Sequence, residues 1–396
     1  MTLLVGYAQT EITPDLKRPV FLAGFGQNRR AETIHDELTA RALALQDENR
    51  MLVLVALDLI GFFRRDVFDV VQKANEACKA SKISIIIAST HTHHGPDTMG
   101  LWGPDDKTCG VDLEYLTGLK EKIVDTILAS IEKMQPAMLK VSSVQVPGVV
   151  KNARDPSIID DELTVAQFCT PSEGNPLLTL FNFPCHPEVL WEHNPHISAD
   201  YPGFLRRRVE IVTGAPCIFF SGALGGMMTP DVKDHSFEEA EQMGEVLAKA
   251  GINAIQTGVS DQLPSISFNR VDLRVKLTNI LFKLAFERGL LPDLRNKKGE
   301  VDTEVSLLKI GPLWLTGIPG EMLPKLGLKL KTRLKEAGAQ VTGIIGLAND
   351  ELGYILPTED FRYPLNPFSP GKHYEETMSI SKEIGPKVMD AVLRLL

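Results

Sequence analysis

A chain of 396 residues that is 43% hydrophobic carries enough apolar material for a large core, which excludes a disordered or fibrous protein. Its net charge of -9 argues against a nucleic-acid partner, which favours a basic face. The five cysteines, Cys78, Cys109, Cys169, Cys185 and Cys217, are odd in number and never spaced as Cys-x-x-Cys, so neither a disulfide framework nor a thiolate zinc site is expected. The N-terminus has no basic leader, and no apolar run approaches the ~18 residues needed to span a bilayer, so a soluble cytoplasmic protein is expected.

In chain order, strand-like runs fall at 51–57, 83–88, 177–183, 217–220, 305–310, 313–317 and 341–347. Helical spacing of apolar residues appears at 66–79, 113–133, 201–212, 237–256, 323–337 and 379–396. This alternation predicts an α/β protein with mixed β-sheets covered by helices, and the valine-rich stretch 137–150 adds an antiparallel element. There is no convincing linker, and the polar patch 294–302 is the weakest boundary candidate. The proline-rich tract 361–373 is expected to be a long ordered loop shaping a pocket.

The apolar run 83–88 stops at Ser89-Thr90-His91-Thr92-His93-His94-Gly95-Pro96, so a buried strand delivers three imidazoles into a loop. If extended geometry persists there, His91 and His93 share a face and His94 points away. Such a pair can bind a divalent ion through both rings, or bind with one and keep the other as acid or base. A solvated polar loop is the plainer alternative. Further ligands are then expected at other strand ends. The run 177–183 ends in Pro184-Cys185-His186-Pro187-Glu188, the run 313–317 in Ile318-Pro319-Gly320-Glu321, and the run 341–347 in Ala348-Asn349-Asp350-Glu351-Leu352-Gly353-Tyr354. Taken singly, His186 also reads as a structural histidine, Glu321 as a helix-dipole acid and Tyr354 as a core aromatic. The recurrence of strand, Gly/Pro turn and liganding side chain raises all three.

These segments together resemble the catalytic domain of the neutral ceramidase family, zinc-dependent amidases. The resemblance runs through Gly6-Tyr7-Ala8-Gln9-Thr10-Glu11-Ile12-Thr13-Pro14, Leu22-Ala23-Gly24-Phe25-Gly26, Ile34-His35-Asp36, the Asp58 segment, Thr90-His91-Thr92-His93, Phe183-Pro184-Cys185-His186, Pro319-Gly320-Glu321, Gly353-Tyr354 and Tyr374-Glu375. It implies one catalytic domain over 1–396 with the metal site at strand ends. It also implies Zn2+ held by His91, His186, Glu321 and Tyr354, with His93 as the unligated catalytic histidine and Tyr374 as donor to the oxyanion. Arg154, with spacing that differs by a residue, resembles the family's substrate-binding arginine.

Two departures bear on the substrate. Where ceramidases carry Gly-Asp-Val-Ser-Pro, this chain has Gly225-Gly226-Met227-Met228-Thr229-Pro230-Asp231, so the acid is lost and Thr229 replaces serine. A relative without the family's secretory signal and C-terminal β-sandwich domain is expected, acting on a smaller or more soluble amide or ester. His35, Asp36 and Asp58 are candidates to accept an N–H from a metal-bound imidazole, although Asp58 equally reads as a cap of its strand. Asp200 reads first as a helix N-cap, with a pocket role left open. The alternatives are a metal- or ligand-binding protein without turnover and, more weakly, a metal-dependent phosphoesterase.

Overall fold

The computed structural model describes residues 2–48, 50–78, 82–366 and 368–396. Its largest sheet runs in the order Cys217–Ser221, Pro176–Phe183, Glu162–Cys169, Gln135–Gln145, Leu3–Glu11, Thr39–Gln46, Met51–Leu57, Ser84–Ser89, with the short Val259–Asp261 strand also on Gln135–Gln145. The two end pairs, Cys217–Ser221 on Pro176–Phe183 and Met51–Leu57 on Ser84–Ser89, are parallel; the pairs between them are antiparallel. A second sheet, ordered Ile266–Lys276, Glu300–Ile310, Leu313–Gly317, Val341–Ile345, closes with a parallel pair as well.

The two sheets pack face to face and helices cover both outer faces. Leu52, Leu54, Ile86, Leu180 and Ile218 of the large sheet meet Leu308, Leu313, Leu315, Val341 and Ile345 of the small one. On the outer face, Val53, Val55, Ile85 and Ile87 pack under Arg64–Ala77 and Leu113–Glu132. Phe181, Phe183 and Phe219 do so under Tyr201–Thr213 and Phe237–Gln256. Pro324–Glu336 and Ile384–Leu393 cover the small sheet. Burial on both faces is why Met51–Leu57 and residues 83–88 read as unbroken apolar runs rather than alternating ones.

Several expectations need correction. The strands Leu3–Glu11, Thr39–Gln46, Glu162–Cys169 and Ile266–Lys276 did not announce themselves in the sequence. Thr39–Gln46 is the clearest case, because Ala40, Ala42 and Ala44 on its outer face have little intrinsic preference for a strand. They face outward under the Leu113–Glu132 helix, where small side chains let it approach. The patch 294–302 is a tight turn, with Gly299 N–H bonded to the Asn296 carbonyl, leading into the Glu300–Ile310 strand. The final helix is shorter than 379–396, because Ser379 bridges to Gly353 before the chain turns into Ile384–Leu393. The helix expected over 66–79 runs Arg64–Ala77; Lys79 lies outside the described residues, as does Pro367 in the 361–373 loop. Among the described residues, no helix is long and apolar enough to cross a membrane.

Candidate metal centre

Chain segments leaving the C-terminal ends of parallel strands meet at one place, the usual location of ligand sites in sheets with parallel pairs. The Ser84–Ser89 strand supplies the histidine loop and Pro176–Phe183 supplies His186. Leu313–Gly317 leads to Glu321, and Val341–Ile345 to Tyr354. Ser221 Oγ donates to the Thr90 carbonyl at 2.6 Å, and Ala88 bridges to Ala348, which ties these strand ends together.

The histidine loop does not stay extended. His91 takes a left-handed φ of 71°, its N–H bonds the Leu59 carbonyl, and the His93 N–H bonds the Pro187 carbonyl. The convergence expected of His91 and His93 therefore arises from a turn and not from strand alternation. Their rings stand 5.0 Å apart and nearly perpendicular. His94 does point away, with Nδ1 facing Arg29 and Asn194 and Nε2 3.7 Å from Asp200. Gly24, at φ 102°, is required beside this loop, since a Cβ there would lie 2.4 Å from the His93 ring.

His91, His93 and His186 are all buried, and their candidate ligand atoms lie within 4.8 Å of one another. The second nitrogens of two of them are already committed to backbone carbonyls: His91 Nδ1 to Ile60 at 2.6 Å, and His186 Nδ1 to Met228 at 3.0 Å. That leaves both Nε2 atoms aimed at one carboxylate oxygen, Glu321 Oε2, at 3.6 Å and 3.0 Å. Imidazoles fixed through the far nitrogen and converging on a carboxylate are what a divalent transition ion requires. Buried polar atoms with no hydrogen-bond partner among the described residues mark the same place: both ring nitrogens of His93 and both carboxylate oxygens of Glu188. This donor set fits a metal ion and satisfies poorly without one.

Electrostatics within the cluster follow from burial and pairing. Burial and the neighbouring imidazoles hold His93 well below the usual histidine range, so it is neutral. Burial opposes the charged form of His186, but the carboxylates of Glu188 and Glu321 outweigh it and push the ring up. Burial likewise opposes ionised Glu321, and His91 and His186 overcome it, holding the carboxyl low. Glu188 Oε2 lies 3.3 Å from His93 Nδ1, off the direction of a hydrogen bond. Glu188 is the residue sequence reasoning passed over, although it stands two positions after His186.

Tyr354 pairs with Glu321 in a short parallel ladder and is buried, its hydroxyl turned to Met227 Sδ at 3.3 Å. Tyr374, 41% exposed, lies across from it with ring centroids 6.0 Å apart. Both phenols are pushed up by burial and by the Glu321 carboxylate. Beneath them a pocket is walled by Ile60, Phe63, Leu101, Phe282 and Leu291, together with Met99 and Trp102. Phe25 instead packs edge-on against His93, and the Met228 side chain belongs to the helix-covered core.

The remaining expected site residues sit elsewhere around this centre. Arg154 spends its guanidinium on Glu375, at 2.6 Å, and Glu376, at 2.9 Å, behind Tyr374. Thr229 is buried in the Met228–Pro230 strand and faces Glu188. Asp58 accepts from Thr39, Thr90 and both terminal nitrogens of Arg206, which braces the loop before His91. Asp36 holds Ser198 and the Ala199 N–H, and His35 bonds Asp36 and stacks on Phe237 at 3.6 Å. Asp200 caps its helix through the Tyr201 N–H. The expectation that His35, Asp36 or Asp58 takes an imidazole N–H from a ligand histidine is corrected: the second nitrogens of His91 and His186 face the carbonyls of Ile60 and Met228.

No protein-family model matches the chain, and no curated protein matches it. Among solved structures, the chain is similar to the neutral ceramidase of Pseudomonas aeruginosa, with a TM-score of 0.80 at 19% identity, covering 100% of this chain and 73% of that one. A structure described as a ceramidase complexed with C2 gives 0.79 at 17% identity, over 100% and 74%. This chain therefore has the neutral-ceramidase fold, as the motif series implies. At such identities the likeness establishes fold alone, and the chemistry rests on the side chains.

Proposed function

We propose that this protein is a zinc-dependent hydrolase of an amide or ester bond in a small-molecule substrate, more compact or more soluble than ceramide. The observation that carries this reading is the convergence of His91, His186 and Glu321 on one point, with His93 beside it, next to an apolar pocket. The shared fold with the two ceramidases supports the reaction class.

His91, His186, Glu321 and Tyr354 would hold the ion. When bound, zinc lowers the pKa of water to about 7 and polarises a carbonyl. His93 does the proton work. Its Nδ1 faces Glu188, which favours the proton on that nitrogen and leaves the Nε2 lone pair to take a proton from the attacking water. The same Nε2 then delivers that proton to the departing nitrogen or oxygen. The Tyr374 hydroxyl, kept protonated by its surroundings, donates to the oxyanion, which is worth roughly 3 kcal/mol for one such donor. The apolar walls exclude bulk water from these transfers.

The test is a panel of short N-acyl amides, lactones and aryl esters, with ceramide alongside, assayed on zinc-loaded protein. Turnover on at least one class, lost with a chelator and restored by zinc, is expected. Absence of zinc-dependent turnover on every class overturns the proposal.

A further inference from the structure

Glu351 is a second carboxylate in the pocket wall, and neither metal holding nor proton transfer uses it. It is 3% exposed. Oε1 accepts the Gly353 N–H at 2.9 Å, which is all that its turn requires. Oε2 is buried and has no hydrogen-bond partner among the described residues. Burial, and after it the Glu321 and Asp350 carboxylates, push this carboxyl well above the usual carboxylate range, and no cation stands among the charges acting on it.

Glu351 is also held in place. Asn349 takes a left-handed φ of 60° and ties itself to Ile87 N–H at 2.7 Å and to Glu304 at 2.8 Å. Asp350 accepts from Arg64 N–H, Thr303 hydroxyl and Glu351 N–H, at 3.0, 2.8 and 3.0 Å. The stem packs against Gly61, where a Cβ would lie 2.9 Å from Glu351 Cγ. With the turn clamped on both sides, the side chain cannot swing to solvent to relieve its unpaired oxygen. Leaving such an oxygen buried costs stability, so a side chain kept there calls for a partner that arrives from outside.

We infer that Glu351 selects the substrate: the part that enters the apolar pocket carries a hydrogen-bond donor, a hydroxyl or an ammonium group, which pairs with Glu351 Oε2. This rests on the hydrolase reading for the word substrate, but the recognition itself does not. A pocket with a built-in acceptor rejects the ligand lacking the donor far more strongly than a plain apolar pocket discriminates by size.

The experiment is calorimetric binding of three probes of equal chain length, 1-hexanol, hexylamine and 1-methoxypentane, the last an isomer of hexanol with no donor. Wild type, Glu351→Gln and Glu351→Leu are compared, with zinc content measured on each. Wild type is expected to bind hexanol or hexylamine roughly tenfold or more tightly than the ether. Glu351→Leu should bring all three within about twofold and keep its zinc. Glu351→Gln keeps the Gly353 bond; it should retain a preference for hexanol if hydroxyl is the natural donor and lose the preference for hexylamine if ammonium is. Equal binding of all probes by wild type, no binding of any, a preference unchanged in Glu351→Leu, or zinc lost from both variants overturns the inference. A donor preference in a protein that hydrolyses nothing would leave this inference standing while the hydrolase reading fell.

Discussion

Two buried polar clusters meet along the histidine loop, Thr90 belonging to one and His93 to the other, and are built on opposite principles. Around Asp58 every oxygen is used: Thr39 donates twice, Thr90 once, and Arg206 pairs both oxygens at 2.7 and 2.8 Å, which leaves only Arg206 Nε in this cluster without a partner among the described residues. Around His93, both ring nitrogens of His93, both oxygens of Glu188 and Oε2 of Glu351 have no hydrogen-bond partner among the described residues, at similar depth. A satisfied network braces a fold; an unsatisfied one at the mouth of an apolar pocket is arranged for something that binds. Substitutions in the first should therefore change stability and spare the chemistry, and those in the second should do the reverse.

Breaking the satisfied cluster gives the largest stability effect. Arg206→Leu strands a fully buried Asp58 and should cost about 3–5 kcal/mol in denaturant unfolding, while zinc bound per folded chain stays at the wild-type value. A smaller loss, or loss of zinc, would erase the contrast. In the other cluster, His186→Ala should lower kcat/KM on the order of a thousandfold, the equivalent of several kcal/mol of charge stabilisation, with little loss of fold stability. Glu188→Gln should lower kcat by roughly 10- to 100-fold with zinc retained, because His93 loses its orienting carboxylate. An unchanged kcat would remove Glu188 from the proton path.

The smallest effect over any one pH unit belongs to Asp200. Burial, against its backbone N–H donors, raises this carboxyl from 3.8 to about 7, so the folded chain keeps a proton that the unfolded chain releases. The stability this contributes is present below pH ~4 and is lost as pH rises through about 7, by at most about 1.4 kcal/mol per pH unit. Relative to wild type, Asp200→Asn should gain stability across that window in unfolding titrations. A difference that is flat with pH would mean that Asp200 is ionised throughout.

The histidine box was legible because an apolar run ended in three imidazoles, and His186, Glu321 and Tyr354 because each follows a strand and a Gly/Pro turn. The left-handed His91 was not, since nothing local distinguishes it from an extended residue; it is imposed by the Leu59 and Ile60 carbonyls. Glu188 and Glu351 carry no sequence pattern either. Their meaning lies in what fails to reach them, which only tertiary packing decides. In the sequence Asp58 reads as a cap or an imidazole partner because its partner Arg206 stands 148 residues away.

The most direct test is elemental analysis of untagged protein, comparing wild type with His91→Ala, His186→Ala, Glu321→Ala and His93→Ala purified in parallel. Near one zinc per wild-type chain is expected, lost or sharply reduced in the first three variants and retained in His93→Ala. No metal in wild type after incubation with zinc would contradict the metal centre; zinc lost from His93→Ala would make that histidine a ligand and leave the proton transfer without its base.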